Sequence, residues 1–338
     1  MLVQTLIPAS FSPQAYDDML ARGWFRSSSL LYNIQVLCID ARLTSAVNIR
    51  LPLHEHTFTK SQRKIMRQAN EAFDLVTRPA VYDSEKEDLY QIHRKRFKAF
   101  VHSYLEDFFM YTHFNRLFDT RELCVYHKGE LVAFSIFDIG ASGMASILCA
   151  FHPEYANYSL GHFTMLCEIE LAKEANLEYY YPGYILDKSS SFDYKLRLGE
   201  MQYLNDKGSW VERDKFDFSR TKAVEFRNRL DKLAAQLKKK GIESNMKLYP
   251  FFALGYMDTL PEKVLKYPAF LELQGCGPNV VATYDMDQRC YVFLEAVDRP
   301  QYREMVNMEM SDDYASSPAY RMEILAINRI IDQESILI

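Results

Sequence analysis

The stretch ELCVYHKGELVAFSIFDIGASGMASILCAF, residues 122–151, sets the fold together with HPEYANYSLGHFTMLCEIELAKEANLEYYYPGYI, residues 152–185. Apolar runs broken at Lys128-Gly129 and at Gly140 to Gly143 predict three antiparallel strands, over 122–127, 131–139 and 144–151. After Pro153 a polar loop, Glu154 to Ser159, leads into a helix with Met165, Leu166, Ile169 and Ala172 on its apolar stripe. A dense aromatic strand, Leu177 to Tyr181, follows and is expected to close at Pro182-Gly183. A helical crossover between two strands of one sheet normally leaves them parallel, so the meander plus strand, helix and strand calls for a mixed sheet.

That order resembles the GNAT fold. The fold class read from it is α+β, a GNAT-like (acyl-CoA N-acyltransferase) mixed sheet flanked by helices, with an N-terminal subdomain and a C-terminal extension. The expected divisions are an N-terminal subdomain over 1–80, a GNAT-like catalytic domain over 81–215, and a basic helix plus extension over 216–338. In such a fold the helix N-terminus after the fourth strand lies beside the acyl donor, where its free amides face phosphate or polar groups.

Outward from this centre the signals are local. Residues 1 to 80 mix short extended segments with turns and include the basic element Lys60-Ser61-Gln62-Arg63-Lys64, running on to Arg67. Ser84-Glu85-Lys86-Glu87 has the spacing of a capping box and predicts a helix start, with Leu89, Ile92 and Phe100 on its stripe beside His93 and Arg96. A basic amphipathic helix is expected from Ser219 to Lys240, with Phe226, Leu230, Leu233 and Leu237 on one face and Gly241 as its stop. Beyond 242 the chain reads as short strands, acidic near Glu309 to Asp313, with a final helix from Ala319 to Asp332.

Composition excludes several classes. A hydrophobic share of 48% with 25% charged residues is that of a globular chain, and 338 residues fit two or three packed units better than one core. The formal net charge of -5 excludes a uniformly basic nucleic-acid binder, so any RNA contact is a local patch. The opening MLVQTLIPAS has no charged n-region, and no stretch is apolar for the ~20 residues of a membrane span, so a cytoplasmic chain is expected. Cys38, Cys124, Cys149, Cys167, Cys276 and Cys290 form no CxxC pair, and His54 with His56 lacks two further ligands nearby.

Four elements carry a specific resemblance. Gly23-Trp24-Phe25-Arg26-Ser27-Ser28 with Tyr32 resembles the "GFRRSG...Y" element of bacterial aspartate/glutamate leucyltransferases and arginyl-tRNA-protein transferases. Thr59 to Lys64 resembles their "SRSQRR", and Phe151 to Glu154 with Ser159-Leu160-Gly161 resembles "FDPE...SLG". Tyr180 to Ile185 with Asp193-Tyr194-Lys195 resembles "YLGYYI...YK". These fall in the family's order over roughly residues 23 to 210. One departure stands out: at the steps of the family's "C..C..C" ladder this chain has Cys38, Ala41 and Thr44. One thiol does not support a metal or iron–sulfur site, so neither a metal nor another cofactor is expected.

The resemblance implies transfer of arginine or leucine from aminoacyl-tRNA to the α-amine of a protein N-terminus, usually acidic, as in N-degron tagging. The partners implied are an aminoacyl-tRNA donor and a protein or peptide N-terminus. A neutral amine attacks an activated ester, so positioning supplies much of the acceleration. Recognising an acidic acceptor needs Arg or Lys, and Arg26, Lys60, Arg63 and Lys195 are the candidates. For Lys60 and Arg63, a solvated basic turn or a tRNA phosphate contact stands level with acceptor binding. Ser61 and Gln62 either bond a substrate amide or satisfy a turn, and Tyr194 belongs to the same matched element as Lys195. Ser159 and Gly161 place helix amides near the donor carbonyl, or Ser159 is an ordinary N-cap. Tyr181 and Tyr184 line the aminoacyl pocket or stack on the terminal adenine, with core packing the stronger reading for Tyr181. Asp187 holds the donor ammonium or accepts a proton, or is a loop aspartate.

Two alternatives remain open at the sequence level. One is a CoA-dependent N-acyltransferase, although Ser159-Leu160-Gly161 lacks the "RxxGxG/A" spacing that wraps pyrophosphate. The other is a non-catalytic peptide or tRNA binder on the same fold. The aminoacyl-transferring reading also predicts a positive surface joining Lys60 to Arg67 with His93 to Lys98.

Overall fold

A computed structural model describes residues 1–332 apart from 29, 97–100, 110–116, 258–259, 261, 278, 306–307 and 310–316. Phe100, Lys98 and most of the acidic run after Glu309 lie outside the described residues.

Pro13 at the first turn and Ser12, whose Oγ accepts from Ala15 N at 3.1 Å, start α1 (Pro13–Ala21). It follows β1 (Val3–Leu6) and precedes β2 (Phe25–Ser27) and β3 (Leu30–Ile34), which form a small sheet in the order β1-β3-β2. β4 (Val36–Ile39) and β5 (Arg42–Pro52) pair across a two-residue turn, Asp40-Ala41, with φ of 50° and 53°. The basic element is helical: α2 (Lys60–Ala72) starts at a capping box of Thr59 with Gln62. After β6 (Asp74–Pro79), α3 (Ser84–Arg94) is capped by Asp83, one residue earlier than the Ser84 expected, because the Asp83 carboxylate accepts from Lys86 N at 2.9 Å.

The short β7 (Val101–His102) and α4 (Glu106–Phe109) lead to the meander β8 (Asp119–His127), β9 (Glu130–Ile139) and β10 (Gly143–Phe151), as its turns predict. A 3-10 turn, Pro153–Tyr158, replaces the expected loop before α5 (Leu160–Glu174). β11 (Tyr179–Leu186) then runs through Pro182-Gly183 instead of stopping there. A bulge between Tyr180 and Gly183, with Gly183 at φ 97°, absorbs the proline without ending the strand. β12 (Gln202–Leu204) and β13 (Trp210–Glu212) complete a nine-stranded sheet ordered β13-β12-β5-β11-β10-β9-β8-β6, with β4 also on β5. Only β10 and β11 pair in parallel within it, which makes the sheet mixed. Its strands come from both sides of residue 80.

Alternation decides which helix covers which face. Leu123 and Val125 join Met66 and Ala69 of α2 and Phe163, Leu166 and Ile169 of α5 in one core. Cys124, between them, joins Leu89 and Tyr90 of α3 in another, so α2 and α3 cover opposite faces. The basic residues of α2 and those of His93 to Arg96 are therefore separated by the sheet.

α6 (Lys222–Lys239) buries Phe226, Leu230, Leu233 and Leu237 against the extension. The extension is β14 (Ser244–Leu248), β15 (Ala269–Leu273), β16 (Val280–Asp285), β17 (Cys290–Asp298), the two-residue β18 (Met308–Glu309) and β19 (Leu325–Ile331). Five of these strands form a sheet, β14-β15-β16-β17-β19, and β18 pairs with β7. The helix expected over 319–332 is wrong: Tyr320, Ile324, Ile327 and Ile331 have helical spacing, but the β-branched run pairs along β17. Leu2, Val3, Val36, Cys38 and Leu43 share the core of the extension. Among the described residues no helix is long and apolar enough to cross a membrane.

Candidate active site

β10 and β11 pair only at Gly143, Met144 and Ala145 opposite Tyr179, Tyr180 and Tyr181. Beyond that point β10 follows β9 to Phe151 and β11 follows β5 to Leu186, with a bulge in each ladder, between Ser146 and Leu148 and between Tyr180 and Gly183. The two strands thus separate in the middle of the sheet. Ser146 to Cys149, which a continuous sheet would bury, stay partly exposed along the split.

On the β11 side the 3-10 turn Ser191–Leu198 folds back over the opening, started by a capping box of Ser190 with Asp193. It places Lys195 Nζ 3.0 Å from the backbone oxygen of Tyr184, to which it donates. Nζ lies 5.3 Å from the Tyr184 ring centroid and 5.2 Å from that of Phe192, and these two rings stack at 5.5 Å. A Cβ on Gly183 would stand 3.2 Å from Nζ, so glycine leaves the ammonium its room. Desolvation holds the ammonium down at about 8. Phe25 packs edge-on against Tyr184 at 6.0 Å and lies 6.3 Å from Tyr32, which brings the matched Gly23–Tyr32 element to this wall.

α5 forms the other side. Ser159, at φ 55°, is its N-cap but makes no side-chain capping bond. Its carbonyl accepts from His162 N and Phe163 N, while the amides of Leu160 and Gly161 have no acceptor among the described residues. One turn on, Thr164 Oγ1 lies 3.4 Å from Cys149 Sγ of β10. Next on that face is Glu168, fully buried, with Oε2 accepting from Tyr180 OH at 2.7 Å and Oε1 unpartnered. Burial pushes this carboxyl up to about 7. Burial also raises the Tyr194 phenol, beside Cys149 and Glu168.

Of the residues expected from sequence, Tyr184, Tyr194 and Lys195 meet at the split, and Ser159 and Gly161 head the helix that borders it. The others are elsewhere engaged. Arg26 is spent in a buried ion pair, Nε 2.7 Å from Asp138 Oδ2, with Thr120 and Tyr16 donating to the same carboxylate. Gln62 is 3% exposed and donates to the carbonyls of Arg197 and Leu198 at 2.7 and 3.0 Å, anchoring the turn that carries Lys195. Arg63 donates to Phe58 O at 2.5 Å and Ser61 sits 3.0 Å from Thr59 Oγ1, whereas Lys60 faces solvent. Tyr181 is 4% exposed against Trp210, the core reading. Asp187 accepts from Thr44 at 2.5 Å and Thr221 at 2.9 Å, tying β11 to β5 and to the start of α6. His93 packs on Phe151 with ring centroids 4.6 Å apart, and burial lowers its imidazole. Cys38 donates to Pro268 O at 3.3 Å in the core, where burial pushes the thiol up to about 12.

Sequence reasoning missed Phe192, Thr164 and Glu168. The readable signal for Glu168 was an acidic residue four positions after Thr164 on the inward face of an apolar helix.

Residues 80–205 match the family model for "Arginine-tRNA-protein transferase, C terminus". An aspartate/glutamate leucyltransferase of Campylobacter jejuni is 27% identical over 197 residues, covering 54% of this chain and 77% of the relative. One of Leptospira interrogans is 24% identical over 217 residues, covering 62% and 82%. An arginyl-tRNA–protein transferase 1 of Saccharomyces cerevisiae is 34% identical over 76 residues, 22% of this chain and 15% of that one. Among solved structures FemX is similar at a TM-score of 0.38 and 10% identity, covering 58% of this chain and 68% of that one. The matched segment holds β8 to β12, with the split, α5 and Lys195, and over it the chain is similar to the arginine-tRNA-protein transferases.

Proposed function

We propose that this chain transfers an aminoacyl group, leucine or arginine, from aminoacyl-tRNA to the α-amine of a protein N-terminus, with preference for acidic termini. The observation that carries this is a desolvated ammonium, Lys195, at an aromatic-lined split between two strands, with a helix N-terminus opposite. With its proton on at neutral pH, the ammonium lacks a carboxylate partner among the described residues, which suits an acceptor aspartate or glutamate side chain.

The reaction asks little beyond placement. The acceptor's neutral amine adds to the ester carbonyl, the carbonyl oxygen gains negative charge, and the C–O bond to the terminal ribose oxygen breaks as that oxygen takes a proton. The free amides of Leu160 and Gly161 suit the oxyanion, and the Tyr184 and Phe192 rings suit a base or an apolar aminoacyl chain. The relatives named for leucyl and arginyl transfer support the donor class.

The test is incubation of the purified chain with charged tRNAs and peptides beginning Asp, Glu, Met or Gly. Labelled leucine or arginine on the Asp and Glu peptides is the expected result. No transfer to any peptide, together with tight CoA binding by calorimetry, would replace this reading with a CoA-dependent acyltransferase.

A further inference from the structure

Three side chains from three separate elements converge near the wall of the split. Ser27 ends β2, His102 ends β7, and Asp107 lies in α4. Ser27 Oγ is 3.1 Å from His102 Nε2, and His102 Nδ1 is 3.9 Å from Asp107 Oδ2. The order hydroxyl, imidazole, carboxylate is that of a nucleophile, its base and the group that orients the base. The imidazole–carboxylate spacing is longer than a hydrogen bond, a looseness common in such pairs before a substrate closes around them.

The base is held in place from α3. Tyr90, 1% exposed, donates its hydroxyl to the His102 carbonyl at 2.8 Å, Gln91 Nε2 donates to Ser103 O at 2.8 Å, and Leu105 N donates to Glu87 at 3.2 Å. The Phe108 ring meets the imidazole edge-on at 4.5 Å, and Asp107 Oδ2 accepts from Tyr104 N at 3.3 Å. Desolvation lowers the imidazole below its ordinary range, so it is neutral at pH 7. With its one proton on Nδ1, toward Asp107, Nε2 is left to accept from the Ser27 hydroxyl.

The centre can be reached. Ser27 is half-buried and the His102 side chain is 26% exposed, whereas Asp107, behind it, is 10% exposed. Alternation along β2 puts Ser27 on the face of Phe25, about 7 Å along the strand, with the buried Arg26 on the other face. Phe25 packs on Tyr184, so the hydroxyl shares the face that meets the split. Ser28 follows at φ 53°, and its amide has no acceptor among the described residues. The amide next after a nucleophilic serine is well placed to donate to an oxyanion on the attacked carbon.

We propose that Ser27, His102 and Asp107 form a nucleophilic serine centre that hydrolyses activated acyl esters, an activity that needs no tRNA and goes beyond the transfer reaction. Ser27 Oγ adds to the ester carbonyl as its proton passes to His102 Nε2, and the Ser28 amide meets the oxyanion. The C–O bond to the alcohol then breaks, His102 returns the proton to the leaving oxygen, and the acyl group stays on Ser27. Water, giving a proton to His102, adds to that acyl carbon, the bond to Oγ breaks, and the serine takes the proton back. The products are a carboxylic acid and an alcohol. Asp107 holds the imidazole tautomer throughout and acts as a positioning residue.

The test treats the full-length protein with a fluorophosphonate, maps the modified peptide by mass spectrometry, and follows hydrolysis of p-nitrophenyl acetate. The expected label is on Ser27, with ester hydrolysis down about 100-fold or more in Ser27→Ala and in His102→Ala. The rate is expected to rise with pH to a plateau, with a midpoint below the 6.5 of an ordinary imidazole, since the base must be neutral. Asp107→Asn is expected to slow hydrolysis and shift that midpoint, which a purely structural carboxylate would not do. Mapping on the wild type keeps the test valid even where a variant fails to fold. A wild type that takes no label at Ser27, or a folded Ser27→Ala that hydrolyses the ester as fast as wild type, overturns the inference and reduces the Ser27–His102 contact to a tie between β2 and β7.

Discussion

Lys195 Nζ donates to the backbone oxygen of Tyr184 at 3.0 Å, and this bond holds the ammonium at the edge of β11 where β10 has turned away. The position follows from local rules: a bulge and a glycine let β11 pass Pro182, and a capped 3-10 turn brings residue 195 back over it. The result is a half-buried cation with aromatic rings beside it.

For Lys195→Met the transfer rate to Asp-terminal peptides, as kcat/KM, is expected to fall about 10- to 100-fold, the worth of a hydrogen bond to a charged group. Peptides with a neutral N-terminal side chain are expected to change less. In the wild type, KM for the acidic peptide is expected to rise above pH 8 as the ammonium loses its proton. The stability sign is separate. The folded value, about 8, lies below the ordinary 10.5, so the unfolded chain binds more protons between those values and the folded state gains relative stability as pH rises through that window. The gain, on the order of 3 kcal/mol at most, is expected to be absent in Lys195→Met. Parallel denaturation curves for the two proteins from pH 7 to 10 would contradict it.

Arg26 makes the opposite prediction. Its guanidinium is 6% exposed and neutralises a carboxylate, Asp138, that is 0% exposed. Arg26→Ala leaves that charge buried and unpaired, at a cost of about 3–5 kcal/mol. Its effect should appear in urea midpoints, and the fraction that remains folded should keep the wild-type KM for acidic peptides. A raised KM with unchanged stability would return Arg26 to the acceptor site.

This contrast shows what could be read from the chain alone. Turn glycines and alternating apolar runs decide a meander because they are local, and β8, β9 and β10 fall where those signals put them. The motif matches bring Tyr184, Tyr194 and Lys195 to the split. They do not separate a residue that meets substrate from one that holds the site together, because Arg26 and Gln62 are polar for either purpose. That distinction depends on partners distant in sequence, Asp138 for one and the carbonyls of Arg197 and Leu198 for the other. The strand β19 was misread for a similar reason: isoleucines at helical spacing also suit a strand when β17 offers an edge.

Glu168 gives a pH-dependent stability of known sign. Its folded value, about 7, lies above the ordinary 4.5, so the folded state loses relative stability as pH rises from 4.5 to 7. Glu168→Gln keeps an acceptor for Tyr180 and removes the charge. It is expected to be more stable than wild type at pH 8, by up to about 3 kcal/mol, and close to it at pH 5. Chemical denaturation at both values checks this, and an advantage equal at both pH values would show that the carboxyl does not titrate in this window.

Gln62 ties α2 to the turn that carries Lys195, since its Nε2 donates to the carbonyls of Arg197 and Leu198 while its Oε1 accepts from Thr59 N at 2.7 Å. Removing the amide in Gln62→Leu leaves two carbonyls and an N–H short of partners, at a cost of about 1–3 kcal/mol. The effect on transfer is expected to follow from displacement of residues 195–198, so it should exceed what the lost stability explains. Gln62→Leu assayed well below its unfolding temperature is expected to show a lower kcat/KM, and the pH at which KM for Asp peptides rises should move upward from that of wild type as the loosened turn lets water reach Lys195. An unchanged pH profile beside a simple loss of stability would make Gln62 a helix-capping residue alone.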